Sequence, residues 1–396
     1  MLKFPARLLG ALLLCAVLVA CDAPGQAPAT VPTPIPTATL APPTETPVPP
    51  TATPAPTVVS MDALTAELQS VVDLERRAVE SDSKDLFMDQ IDPGDRDWYH
   101  YEDGQFKESS WMTERYDCVS NVRLDPKGKT AVADVALDAC PGRYHVGMFF
   151  RLVGTRWFHS QPGLDEQGLR NTKKIGPFRV TYHAMDEGYL SQLERFAPQI
   201  YKRVSTVMEM DDLDVDVDLV SRPTDMPRSA FTTIALYNPL QARMSVLSPF
   251  FWPNGDGTEQ DLDQQILVTL THEFTHHAVR TAAFLQVPHW LNEGMAVYVG
   301  QENPTPYVRL VQIAANSDVL APPDVLDELL ESGDTADLAY AEGFSFVQYL
   351  TAKEGDVVLP ALLHALRQSG DLNQALLAVT GKGLPAWWTA WKRSLN

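Results

Sequence analysis

Two histidines four positions apart, enclosing a glutamate, constrain this chain more than any other feature: Thr271-His272-Glu273-Phe274-Thr275-His276. They lie within residues 262–280, where Leu262, Ile266, Leu270 and Phe274 recur at helical spacing and predict a helix with one buried face. Four residues advance a helix by about 400°, so both imidazoles project from one face, about 40° apart and one turn from each other. Both ring nitrogens can then reach a single Zn²⁺ at about 2.0–2.1 Å. Glu273 points about 100° away, better placed to hold a water beside the ion than to ligate it. With nine histidines in 396 residues, chance would produce such a pattern in on the order of one chain in a hundred. The competing reading is a pair of core or surface histidines.

The sequence that follows bears on that choice. Pro288-His289-Trp290-Leu291-Asn292-Glu293-Gly294-Met295-Ala296-Val297-Tyr298 resembles the second helix of the gluzincins, W-L-x-E-G-x-A. The resemblance implies that Glu293 is a third zinc ligand, and a His₂Glu set leaves a fourth position open for water. Sixteen residues separate His276 from Glu293, slightly fewer than in the aminopeptidase branch. Further on, the run from Tyr340 through Gly343 to Tyr349-Leu350 is similar to the gluzincin pattern Y-x-x-G-x-x-x-x-x-Y-L. In that family the first tyrosine donates to the developing oxyanion, a role that carries over to Tyr340; Tyr298 is a weaker candidate.

Together these motifs resemble the gluzincin, or peptidase MA-like, zinc metallopeptidases over residues 175–391. The implied fold is α+β and zincin-like, a mixed sheet with an active-site helix beneath an edge strand that can align an extended peptide. Residues 231–247 supply the candidate edge. The implied chemistry is peptide hydrolysis with one catalytic Zn²⁺ and Glu273 as general base. The amine-binding G-x-M-E-N type loop of clan aminopeptidases has no counterpart between Ser221 and Gly257, which favours an endopeptidase. His277 projects away from His276, His289 reads as a loop residue near substrate, and Glu302 is a decoy for Glu293. His364, Trp387, Trp388 and Trp391 read as parts of C-terminal helices, the tryptophans as core.

The N-terminus concerns delivery. Lys3 and Arg7 precede an apolar run over residues 8–20, too short for a spanning helix of about 20 residues. It ends in Leu18-Val19-Ala20-Cys21, which resembles the lipobox of bacterial lipoproteins. The resemblance implies a signal peptide over residues 1–20, lipidation of Cys21, and an extracytoplasmic protein anchored to the bacterial membrane. A plain secretory signal that contains a cysteine is the alternative. Residues 24–57 hold 12 prolines and nine threonines, so residues 21–60 read as an extended tether. A net charge of −20 argues against nucleic acid as a partner. Once Cys15 leaves with the signal and Cys21 is lipidated, Cys118 and Cys140 remain as the candidate disulfide; sequence alone does not show that they meet.

Residues 61–164 predict a smaller α+β domain: one helix over 61–87, then strands near 114–124, 131–137, 144–153 and 156–159. This order of a long helix and a curved antiparallel sheet resembles the nuclear-transport-factor-like fold, whose members bind small ligands or mediate association. His100, His145 and His159 lie here without ligand spacing. The second domain is assigned to residues 175–396. Its Asp214, Asp216 and Asp218 alternate with apolar residues and read as the solvated face of a strand. Two expectations compete: a peptidase acting on a peptide or protein substrate, or a surface-binding lipoprotein whose zincin domain is inactive or holds zinc structurally. Oligomeric state is not legible.

Overall fold

The computed structural model describes residues 60–106, 113–227, 234–255, 261–332 and 335–395. The expected signal peptide, Cys21, and the tether up to residue 59 lie outside them.

The first unit is built on helix α1 (Met61–Glu80), capped by the Ser60 side chain, which accepts from the Ala63 N–H. Its buried stripe of Leu64, Leu68, Val71 and Val72 packs against a sheet. The helix expected to run through residue 87 stops at Ser81, whose hydroxyl donates to the Arg77 carbonyl at 2.7 Å. Asp82 then turns with φ +50°, and a separate helix α2 (Lys84–Met88) follows. Periodicity continues across this break, which is why it was not legible. Helix α3 (Arg96–Gln105) completes the layer.

Strands β1 (Tyr116–Leu124), β2 (Thr130–Leu137), β3 (Tyr144–Val153) and β4 (Arg156–Ser160) form an antiparallel sheet. Two irregularities in the β1–β2 register bend it. Gln69 of α1 serves that bend, donating to the Asp117 carbonyl at 2.7 Å and accepting from the Val119 N–H at 2.8 Å. Cys118 on β1 and Cys140 beyond β2 are joined in a disulfide, with Cα atoms 5.5 Å apart. Half-buried His159 meets the buried Glu75 carboxylate at 3.0 Å.

Helix α4 (Leu164–Gln167) leads to a second sheet in the order β5-β6-β7-β9-β8. Strand β5 (Arg170–Ile175) pairs antiparallel with β6 (Phe178–His183), and β6, β7 (Val215–Val220) and β9 (Arg243–Leu247) run parallel. Strand β8 (Ala235–Asn238) closes the edge antiparallel to β9. The expected edge, residues 231–247, therefore divides: 231–233 lie outside the described residues, β8 is the edge, and β9 is an inner strand between β7 and β8. β5 precedes residue 175, where the second domain was expected to begin. Its sequence, Arg-Asn-Thr-Lys-Lys-Ile, is exposed except for the last residue, so no alternation announced it. Charged edge strands of this kind resist unwanted pairing. The aspartate ladder of β7 is answered by neighbouring arginines: Asp216 by Arg179, and Asp218 by Arg170 and Arg243.

Helix α5 (Leu190–Met208) packs Leu193, Ala197, Ile200 and Val204 onto the common core with this sheet. Helices follow to the end of the chain: α6 (Leu262–Ala283), α7 (His289–Gly300), α8 (Thr305–Asn316), α9 (Leu326–Leu330), α10 (Ala336–Glu354), α11 (Val358–Ser369), α12 (Leu372–Thr380) and α13 (Leu384–Ser394). Trp387, Trp388 and Trp391 are in the core, and His364 is exposed on α11. No helix among the described residues is long and apolar enough to cross a membrane.

One connection ties the two units together. Asn254-Gly255 forms a short strand β10 that pairs antiparallel with Tyr144 and His145 of β3. The chain from the second sheet thus returns to the first before entering α6. Phe250 packs on Phe149 with ring centroids 5.1 Å apart, and a Cβ at Gly147 would collide with the Phe250 ring and carbonyl.

Opening the Cys118–Cys140 bridge frees a loop spanning 22 positions, which by chain entropy costs about 3 kcal/mol. Chemical denaturation of the Cys118→Ser variant should show a loss of this order, with a lower midpoint and a steeper slope as the unlinked denatured chain expands.

Candidate metal centre

Helix α6 positions the site. Asp261 caps it, accepting from the N–H groups of Asp263 and Gln264 at 3.0 and 3.3 Å. Residues 269–279 are buried on every side, so the segment carrying His272, Glu273 and His276 is the central helix of the unit. Helix α7 lies against it and brings Glu293. On its other side α7 meets α10 where Gly294 faces Gly343; a Cβ at either glycine would overlap the partner backbone. Only glycine permits this approach.

Three side-chain atoms converge. His272 Nε2 and His276 Nε2 are 3.0 Å apart, and Glu293 Oε2 lies 3.3 and 3.4 Å from them. Three ligands at about 2.0–2.1 Å from a tetrahedral Zn²⁺ stand about 3.3 Å from one another, so this triangle has the required size. Among the described residues it is the group of histidine, cysteine and acidic side chains able to hold a metal ion.

The surrounding hydrogen bonds set the protons. His272 Nδ1 donates to Glu302 Oε1 at 2.6 Å, and His276 Nδ1 donates to Asn292 Oδ1 at 3.0 Å. With each Nδ1 so engaged, it is Nε2 that can offer a lone pair inwards once it is free of a proton, the arrangement that orients metal-binding imidazoles. Tyr307 donates to the other oxygen of Glu302 at 2.7 Å. Glu293 Oε1 accepts from His289 Nε2 at 3.0 Å, whereas Oε2 has no hydrogen-bond partner and is buried. Both oxygens of buried Glu273 also lack a partner. Orphaned carboxylate oxygens and facing lone pairs are costly unless a cation or a solvent molecule meets them. The residues present therefore fit a divalent metal.

Charge follows the same geometry. Burial pushes Glu293 up, but the adjacent imidazoles of His276, His272 and His289 outweigh it and hold Glu293 well below the usual carboxylate range. Burial lowers His272, yet Glu293 and Glu302 carry it up to about 10 in the metal-free protein. Burial pushes Glu273 up, partly offset by the two histidines. His277 is pulled down to about 4, first by burial and then by Arg280. It stands outside the triangle, paired with the Tyr237 hydroxyl of β8 at 3.1 Å.

Residues 261–396 match the family model described as the peptidase MA superfamily. That span begins at the cap of α6 and contains all three converging residues. No curated protein matches the chain. The match supports peptidase activity at the level of the superfamily.

The other expected residues fall variously. Tyr340 is buried on α10, one turn ahead of the Gly343 crossing. Tyr298 is turned elsewhere and donates to Asp356 at 2.7 Å. Glu302, read as a decoy, is no substitute for Glu293; it is the acceptor that orients His272. His289 is not in a loop but is the first residue of α7. Asn292 was missed, although its place beside Glu293 in the motif was a usable signal. Nothing in the sequence marks Glu302 or Tyr307 for these contacts, which arise from the chain's path beyond α7.

Because metal-free His272 keeps its proton up to about pH 10, metal uptake at neutral pH must expel it. Affinity should fall about tenfold per unit of decreasing pH for each proton released. Calorimetry of zinc binding in buffers of different ionisation enthalpy should detect the proton. His272→Ala should bind no stoichiometric zinc by metal analysis.

Proposed function

We propose that the protein is a zinc-dependent, gluzincin-type endopeptidase that works outside the cytoplasm, tethered to the bacterial membrane through a lipid at Cys21. The observation that carries the catalytic reading is the triangle of His272, His276 and Glu293 beside a buried general base whose oxygens have no partner. Zinc held by these three residues supplies Lewis-acid polarisation of a carbonyl and a water of lowered pKa.

The chain's own groups do the rest. Glu273 takes a proton from the attacking water and returns it to the leaving amine, a task suited by a basicity that burial raises above that of an ordinary carboxylate. Tyr340 donates a hydrogen bond as negative charge develops on the carbonyl oxygen, a role that rests on the family resemblance. Strand β8 aligns the substrate. The Leu247 N–H bonds the Ile234 carbonyl, so by antiparallel alternation Ala235 and Tyr237 turn their N–H and C=O groups to the free edge. An extended peptide can pair with those groups beside α6. The lipobox-like Leu18-Val19-Ala20-Cys21 and the proline-rich stretch support delivery to the cell surface, and the acidic chain gives no grip on nucleic acid.

Zinc content and chelator-sensitive cleavage of a peptide library test the catalytic reading. Glu273→Gln should keep its zinc and lose hydrolysis by at least about a hundredfold. Full turnover by that variant, or zinc-free wild-type protein, would overturn it.

A further inference from the structure

We infer that His289 is a positioning residue for the metal centre: its Nε2–H holds Glu293 Oε1 and so leaves Oε2 alone to face the metal. This deepens the proposed function and rests on it. Glu293 has two chemically equivalent oxygens, and a carboxylate reaching a metal between two imidazoles can offer one or both. If both bind, the coordination position that water and substrate must share is taken.

The structure separates the two oxygens by their partners. Oε2 stands 3.3 and 3.4 Å from the two inward imidazole nitrogens and has no hydrogen bond. Oε1 is turned to His289 Nε2 at 3.0 Å. The contact is local by design of the helix: His289 and Glu293 are four residues apart on α7, and so stack on one face. Helix α7 in turn is fixed. Its Trp290 N–H donates to Asp327 at 2.8 Å, and Gly294 is locked against Gly343. The Glu293 side chain is 1% exposed while that of His289 is 29% exposed. His289 thus spans from solvent to the hidden oxygen, within the wall of the site and outside the ligand triangle.

The remaining ligands have analogous partners, Glu302 for His272 and Asn292 for His276. With His289 included, each of the three converging side chains is oriented by one further residue. Such outer partners commonly govern metal affinity by about ten- to a hundredfold. His289 differs from the other two in acting on coordination number as well as orientation.

The test uses the whole protein loaded with Co²⁺, whose visible absorption is intense in four-coordinate sites and weak in five-coordinate ones. Wild type, His289→Ala and His289→Gln are compared, together with zinc affinity by chelator competition. Gln places an N–H donor close to where the imidazole Nε2 lies. The expected result is intense absorption in wild type, weakened and shifted in His289→Ala with zinc affinity lower by about tenfold or more, and restored in His289→Gln. A His289→Ala spectrum and affinity equal to wild type would overturn the assignment while leaving the metallopeptidase reading intact. Loss in His289→Ala that His289→Gln fails to restore would also overturn it, assigning the effect to packing. Wild-type protein that takes up neither metal would remove both readings together.

Discussion

The helical half of the molecule is organised around an electrostatic demand made by buried ligands. Two imidazoles and a carboxylate direct their lone pairs to one point from which water is largely excluded, and their other polar atoms are already engaged. Such a cluster resists assembly unless something positive sits at its centre, a proton on His272 or a metal ion. The packing answers that demand. Helix α6 is buried on all sides through the motif, and α7 is pressed between α6 and α10 by the Gly294–Gly343 approach. Precision comes from rigid elements whose positions are fixed by backbone contact.

The sheet has a different part. Its parallel strands and α5 give α6 something apolar to rest on, and its antiparallel edge strand runs beside the motif. Tyr237 links the two directly, its hydroxyl bonded to His277 of α6. His277 immediately follows His276 yet is pulled down to about 4 and stays neutral, fastening the edge strand to α6 without adding charge.

What could be read from sequence followed from short-range rules. Helical spacing placed His272 and His276 on one face, the W-L-x-E-G-x-A motif singled out Glu293, and alternation found β6 and β7. What could not be read depended on chain path or on polar edges. β5 is nearly all exposed polar residues, so hydrophobic alternation had nothing to register. The break after α1 depends on a single left-handed residue, Asp82, inside an unbroken apolar period. Glu302 reaches His272 across 30 positions, and His289 looked like a loop residue until α7 was seen to begin with it. Burial of Tyr340 agrees with its expected helix but does not by itself assign its hydroxyl a role.

The short strand β10 has a practical bearing on how the molecule can be divided. The stretch between β9 and α6 leans on the neighbouring unit through Phe250 on Phe149, Asn254 beside His145, and a backbone ladder to β3, and the Gln265 amide of α6 grips the Pro253 carbonyl. Arg222 reaches Asp95 and Thr224 reaches Gln161 across the same seam. A protein trimmed to its C-terminal unit would therefore expose the Phe250–Phe251 pair and leave β10 unmated at the root of α6. The smaller unit acts as a splint, and the two halves are better handled as one piece.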